Sequence, residues 1–154
     1  MSDVQTIPNE IDNEENIARV VFSPMMIEDG EISPSAFYLR DLRKPEDYVS
    51  VFRHDYLIPT VENVSMIHPP KDNIIYGYAL LNVGICRKIS HKDIMLDVLS
   101  HPNQSNPYHA GIHFSKSGIA LTGKGSCIDP DFIIVTGMLA NNSELIVFPC
   151  NPED

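Results

Sequence analysis

The 154 residues hold no tryptophan and only three cysteines, with no C-x-x-C pair among them. Cys86, Cys127 and Cys150 are widely spaced and odd in number, and no secretory signal is expected from the polar residues that open the sequence. The expectation is free thiols in a reducing, cytoplasmic setting, and neither a disulfide framework nor a zinc finger. Long apolar runs are missing too. Stretches such as Phe132 to Val135 fall far short of a bilayer span, so no membrane segment is expected. Basic residues are scarce: 11 Lys and Arg face 21 Asp and Glu, for a net charge of −10. No positive patch forms of the kind that phosphate contacts need, which argues against a nucleic-acid binder of that type.

Familiar catalytic signatures are absent as well. There is no G-x-S-x-G elbow. Gly123-Lys124-Gly125-Ser126 looks like a phosphate cradle, but the P-loop spacing before Lys124 is lacking and Lys124 is followed by Gly. A solvated loop is the expectation there. Cys86 and Cys127 have no His or acid nearby in sequence to activate a thiol.

What is present begins with the placement of charge. Residues 1–16 hold Asp3, Glu10, Asp12, Glu14 and Glu15 and no Lys or Arg; Glu153 and Asp154 add two more acids. Setting those seven aside leaves 14 acids against 11 bases, a nearly balanced body. Residues 1–16 are expected to form an acidic arm and residues 17–150 one domain. With 12 prolines the chain turns often.

The hydrophobic pattern predicts strands over Ala18–Ser23, Tyr48–Arg53, Ile74–Ile89, Ile94–Leu99, Tyr108–Ser115 and Glu144–Phe148. Ile32–Leu39 reads as extended and broken at Pro34, after a Glu28–Glu31 turn in which Gly30 supplies positive φ. Gly77 and Gly84 suggest bulges or close packing. Two short helices are expected. One spans Thr60–Ile67, with Thr60 as N-cap and Val61, Val64 and Ile67 as its apolar stripe, ended by Pro69 and Pro70. The other starts at Asp129-Pro130-Asp131 and runs to about Ala140, burying Phe132, Ile134, Val135, Met138 and Leu139, with Asn141-Asn142 as its stop. Strands outnumber helices and do not alternate with them in a βαβ rhythm. The class is therefore α+β: a single compact domain with a mostly antiparallel or mixed sheet and two short helices.

The stretch from Ser100 to Phe114 runs from a proline-bracketed polar loop into a short apolar segment that carries a glycine and two histidines, His109 and His113. On a strand, His109 and His113 would lie about 13 Å apart, too far to share one metal ion. His109 alone, after the Asn106-Pro107 turn, suits either a general acid–base role or the ordering of its own loop. Arg53, at the end of a strand, suits either an anion clamp or an ion pair with Asp55 or Asp47. Arg19, set among apolar residues, has the same two readings.

Three motifs carry a family resemblance: Asp29-Gly30-Glu31-Ile32-Ser33-Pro34-Ser35-Ala36-Phe37, then Val49-Ser50-Val51-Phe52-Arg53, then Asn106-Pro107-Tyr108-His109-Ala110-Gly111-Ile112. The set resembles a family of small uncharacterised bacterial proteins with D-G-x-[IV]-S-x-x-A-F, [LVI]-S-V-x-R and N-P-x-H-A-x-I patterns, over residues 19–114. The resemblance implies a bacterial, cytosolic protein of a kind found near mobile or conflict-type loci. It also implies that Ser50, Arg53 and His109 share one site. Two readings stay open. The first is a module that binds another protein within a defence or toxin-related assembly, through its acidic arm and Pro-rich loops. The second is a small enzyme or binder for a nucleotide-like or phosphorylated ligand. In it Arg53 clamps the anion, His109 moves a proton and Ser50 binds or polarises the substrate. Neither calls for a cofactor or a resident metal. The second requires the three residues to meet in one cleft.

Overall fold

A computed structural model describes residues 8–67, 74–126 and 128–149. Its centre is strand β1 (Asn16–Ser23), in which Ile17, Ala18, Val20 and Val21 are all buried. Side chains alternate across a strand, so apolar residues at neighbouring positions mean that both faces are covered. A small hairpin follows, β2 (Ile27–Glu28) and β3 (Glu31–Ile32). Asp29 and Gly30 take φ of 53° and 77° in its two-residue turn, the pair of positive values a tight hairpin demands.

The remaining strands are β4 (Val49–Arg53), β5 (Ile74–Asn82), β6 (Ser90–His91), β7 (Ile94–Ser100), β8 (His109–Lys116), β9 (Ile119–Ala120) and β10 (Glu144–Val147). The main sheet runs β10-β5-β1-β4-β8-β7-β6, with β9 on β8, and every ladder is antiparallel. The helices are α1 (Val61–Ile67), α2 (Val83–Lys88) and α4 (Pro130–Asn141); α3 (Gly123–Ser126) is a tight turn rather than a regular helix, with Gly125 at a φ of 78°, close to the loop expected there. The protein is thus α+β with an antiparallel sheet. No described helix is long and apolar enough to cross a membrane.

Both predicted helices are found, and their caps follow the sequence logic. Thr60 Oγ1 accepts from Asn63 N–H while Asn63 Oδ1 accepts from Thr60 N–H, a reciprocal cap on α1. Asp129 accepts from the Asp131 amide at the start of α4, with Pro130 at the first helical position. The buried face of α4 differs from expectation. Phe132, Val135, Thr136 and Leu139 face inward at three- and four-residue spacing, and Ile134, off that stripe, is 46% exposed.

Two expected extended segments turn helical instead. Pro34–Phe37 forms a 3-10 turn capped by Ser33, and buries Ala36 and Phe37. The long strand expected over Ile74–Ile89 ends at Asn82. There the Asn82 side chain accepts from Ile85 N–H, while the Val83 and Gly84 amides donate to the carbonyls of Glu15 and Asn13. Those acceptors satisfy the orphan donors of α2, and they come from the far end of the sequence. Gly84 closes on Asn13 and Gly77 on β10: a Cβ at Gly77 would stand 2.1 Å from the Ile146 carbonyl oxygen. The ladder between β1 and β5 also slips by one residue just there, between Val21 and Phe22.

The principal core lies on one face of the sheet, beneath α4 and the 3-10 turn, and is built on Ile17, Val21, Val49, Val51, Leu81 and Ile112. A smaller cluster on the other face joins Ala18, Val20, Phe52, Tyr78 and Phe148 to Val64 of α1. The first seven residues of the expected acidic arm lie outside the described residues. From Pro8 to Glu15 the segment is exposed except at two points: Ile11 is in the principal core and Glu15 is buried. Two residues of the expected arm, Ile11 and Glu15, thus pack against the body.

Candidate functional site

Arg53 leaves the candidate trio first. Its side chain is fully buried on the core face of β4, the largest side chain to be so. Nε and NH2 donate to the two Glu15 carboxylate oxygens at 2.7 and 3.0 Å, and NH1 donates to the Pro8 carbonyl. The guanidinium also lies over the Tyr56 ring, 4.8 Å from its centroid. An arginine enclosed by a bidentate carboxylate has no fork left for a ligand anion. The ion-pair reading is the right one, with Glu15 as partner in place of Asp55 or Asp47. Asp55 instead accepts from the Asn16 amide.

Arg19 is structural as well. The ladder between β1 and β4 registers only Ile17 with Arg53 and Ala18 with Phe52. Beyond it, the Arg19 guanidinium donates to the carbonyls of Ala36 and Ser50 at 2.8 and 2.9 Å. Burial lowers its pKa to about 10, with Glu46 opposing the shift, and it stays charged near neutrality.

Ser50 and His109 lie on the opposite face of the sheet from Arg53. Ser50 pairs with Gly111 and Phe52 with His109 in the ladder between β4 and β8, and strand alternation sets Ser50 and Phe52 away from Val51 and Arg53. Two of the three predicted residues therefore share a sheet face, and the third does not.

That face carries a ring cluster which Gly111 makes possible. The Tyr48 ring lies over Gly111, where an added Cβ would come within 2.3 Å of Tyr48 Cδ1 and 3.1 Å of His101 Cδ2. In the space so left, Tyr48 stacks on His101 with centroids 4.3 Å apart and planes 6° apart. His113 closes the group, 5.3 Å from Tyr48. His113, on β8, and His101, the residue that follows β7, come together beside Gly111, and their Nε2 atoms meet at 2.7 Å. One of the two must donate and the other accept, so a neutral pair holds one proton between them. His109 bonds the backbone instead: its Nδ1 lies 2.9 Å from the His101 carbonyl, which fixes Nδ1 as the protonated nitrogen. The His101 amide returns the contact to the His109 carbonyl. Asn103 and Asn106 tie the intervening loop through bonds to each other and to the Tyr108 amide.

Burial lowers the pKa of all three histidines. His113 adds to the shift at His101, and Asp47 opposes it at His101 and His113. At His109 the contact with the His101 carbonyl works against the shift, while the charges of His101 and Arg19 add to it. Near neutrality the cluster is uncharged, an aromatic surface with proton-accepting nitrogens.

His113 thus meets His101 and not His109. Among the described residues no group of three or more His, Cys, Asp and Glu is placed to hold a metal ion. Sequence reasoning picked out the loop and the glycine but missed Tyr48 and the meeting of His101 with His113. The available signal was Tyr48 in phase with Ser50 and Phe52, opposite a glycine that accepts a ring. Beside the cluster lies a shallow pocket of about 380 Å³, lined by Met95, Asp97, His113 and Ser115 among others. Met95 is 62% and Leu99 44% exposed. Cys86, by contrast, is buried, and its thiol is pushed up to about 12.

The fold and site define an α+β domain with an antiparallel sheet and a histidine–tyrosine cluster on one face. Comparison of the chain with family models, curated proteins and solved structures gives no match.

Proposed function

We propose that this chain is a cytosolic bacterial protein-interaction module, and that it docks a partner on the sheet face around Tyr48, Leu99 and Met95. The observation that carries the reading is the exposure of Met95 and Leu99 next to the stacked rings of Tyr48, His101 and His113. Exposed apolar side chains around a rigid aromatic centre are what a binding surface needs, because the rings lose little entropy on contact. The motif resemblance supports a bacterial setting within a defence or toxin-related assembly, and the buried thiol of Cys86 is in keeping with a reducing compartment. Loss of Arg53 as an anion clamp counts against the alternative, an enzyme for a nucleotide-like or phosphorylated ligand, since His109 and Ser50 then have no charged group to hold the phosphate.

The test is a selection of protein fragments from a displayed bacterial library on the immobilised chain. Each binder is then titrated against Leu99→Glu and His109→Ala. Binders are expected to weaken about tenfold or more on Leu99→Glu and to persist on His109→Ala. A selection in which no binder is weakened by Leu99→Glu, with an unchanged melting temperature, would remove this surface from the reading.

A further inference from the structure

The two ends of the sheet are finished differently. At one end, the edge of β7 beyond the short β6 is closed by side chains. Arg87 donates to the Val98 carbonyl at 3.0 Å, and Asp97 Oδ1 accepts from the Val98 amide at 2.8 Å. The other end is β10. Phe148 N–H donates inward to the Tyr76 carbonyl. Backbone direction alternates along an antiparallel strand, so the N–H and C=O groups of Leu145 and Val147 point out of the sheet. Among the described residues no strand pairs with that side of β10. The strand is short and begins on the charged Glu144, but it carries no lysine, proline or bulge, and Val147 is 50% exposed.

A groove of about 480 Å³ runs beside this edge, between Pro59–Glu62 and Ile146–Pro149 over Tyr78. Its rim is acidic. Glu62 stands on its wall and Glu144 begins the strand, both exposed, in a chain of net charge −10.

We propose that β10 accepts an extended segment of another protein as an added strand, with alternate apolar side chains entering the groove and a Lys or Arg meeting Glu62 or Glu144. Four outward backbone groups supply the main-chain bonds, the groove selects the apolar positions, and the rim charge selects a basic flank. The same charge disfavours a second copy of this chain as occupant. The proposal rests on the reading as an interaction module but uses the opposite end of the sheet from Leu99. Leu99→Glu should therefore leave it intact, and either surface can fail alone.

The probe is an end-blocked heptapeptide of alternating valine and threonine with a lysine at each end, titrated into the full-length chain. Amide exchange at Leu145 and Val147 should slow on binding. Glutamate in place of the terminal lysines should weaken binding about tenfold or more. Val147→Pro removes an outward N–H that serves no bond within the sheet. It should keep the melting temperature and weaken the peptide about tenfold. Glu144→Lys should shift preference towards the glutamate-ended peptide. No protection at either amide, equal binding of a peptide with proline at its centre, or a self-dimer dissolved by Val147→Pro would overturn the proposal.

Discussion

Arg53 and Glu15 are the place where one atom group decides most. Removing one member of a buried pair leaves the other charged and unsatisfied. Glu15→Ala is therefore expected to destabilise the chain by about 3–5 kcal/mol in urea unfolding. Replacing both, Arg53→Met with Glu15→Leu, should recover most of that loss, since apolar replacements of buried pairs are often neutral. An anion-clamp Arg53 would behave otherwise, with stability little changed and only ligand binding lost. That Arg53 needs a partner was legible in the sequence. Which partner was not, because Glu15 lies 38 positions away and local spacing offered Asp55 and Asp47 first. His101 and His113 were hidden for the same reason: their contact depends on Gly111 lying opposite Leu99 and Ser50, which is a matter of register.

Elements whose signals are local were the ones the sequence revealed. Helix α4 has its cap, its proline and its stop within its own span, and its position followed. Asp129 also accepts from Lys116 at 2.8 Å, and that bond holds its carboxyl below the usual range. Asp129→Ala is expected to cost about 1 kcal/mol, from the lost cap, and to lower the melting temperature accordingly. Asp129→Asn should lose less, because the amide oxygen still caps. Helix α2 escaped notice because Val83-Gly84-Ile85-Cys86 is strand-like in composition, while its donors are satisfied by Asn13 and Glu15. The 3-10 turn at Pro34 escaped for want of any periodic signal in four residues.

Across the whole molecule, the histidine cluster predicts an acid-sensitive fold. His101, His109 and His113 have folded pKa values below 6.5, so the unfolded chain binds more protons as pH falls. Their contribution is full above about 6.5 and is lost as pH drops through the folded values. The facing charges are Asp47 and Asp97, which soften the effect, and Arg19, which sharpens it at His109. Urea unfolding from pH 8 to pH 5 should show stability falling in the lower half of that range, and a His101→Gln, His113→Gln double variant should flatten the profile. An equally steep profile in the double variant would mean that other groups carry the acid response. The α+β class and the dominance of antiparallel pairing were legible from the rhythm of strands and turns. The strand order was not, since β1 sits between β5 and β4 through contacts far apart in sequence.

The attachment of the amino-terminal segment has a mechanical consequence. Along the chain, the Pro8 carbonyl is held by Arg53, the Ile11 carbonyl by Arg87, the Asn13 carbonyl by Gly84, and the Glu15 carboxylate by Arg53 again. These are point attachments in series. A pull on the amino end would break them one at a time at low force, as a zipper opens. Only then would the load reach β1, which is paired along its whole length with β5 and only at Ile17 and Ala18 with β4.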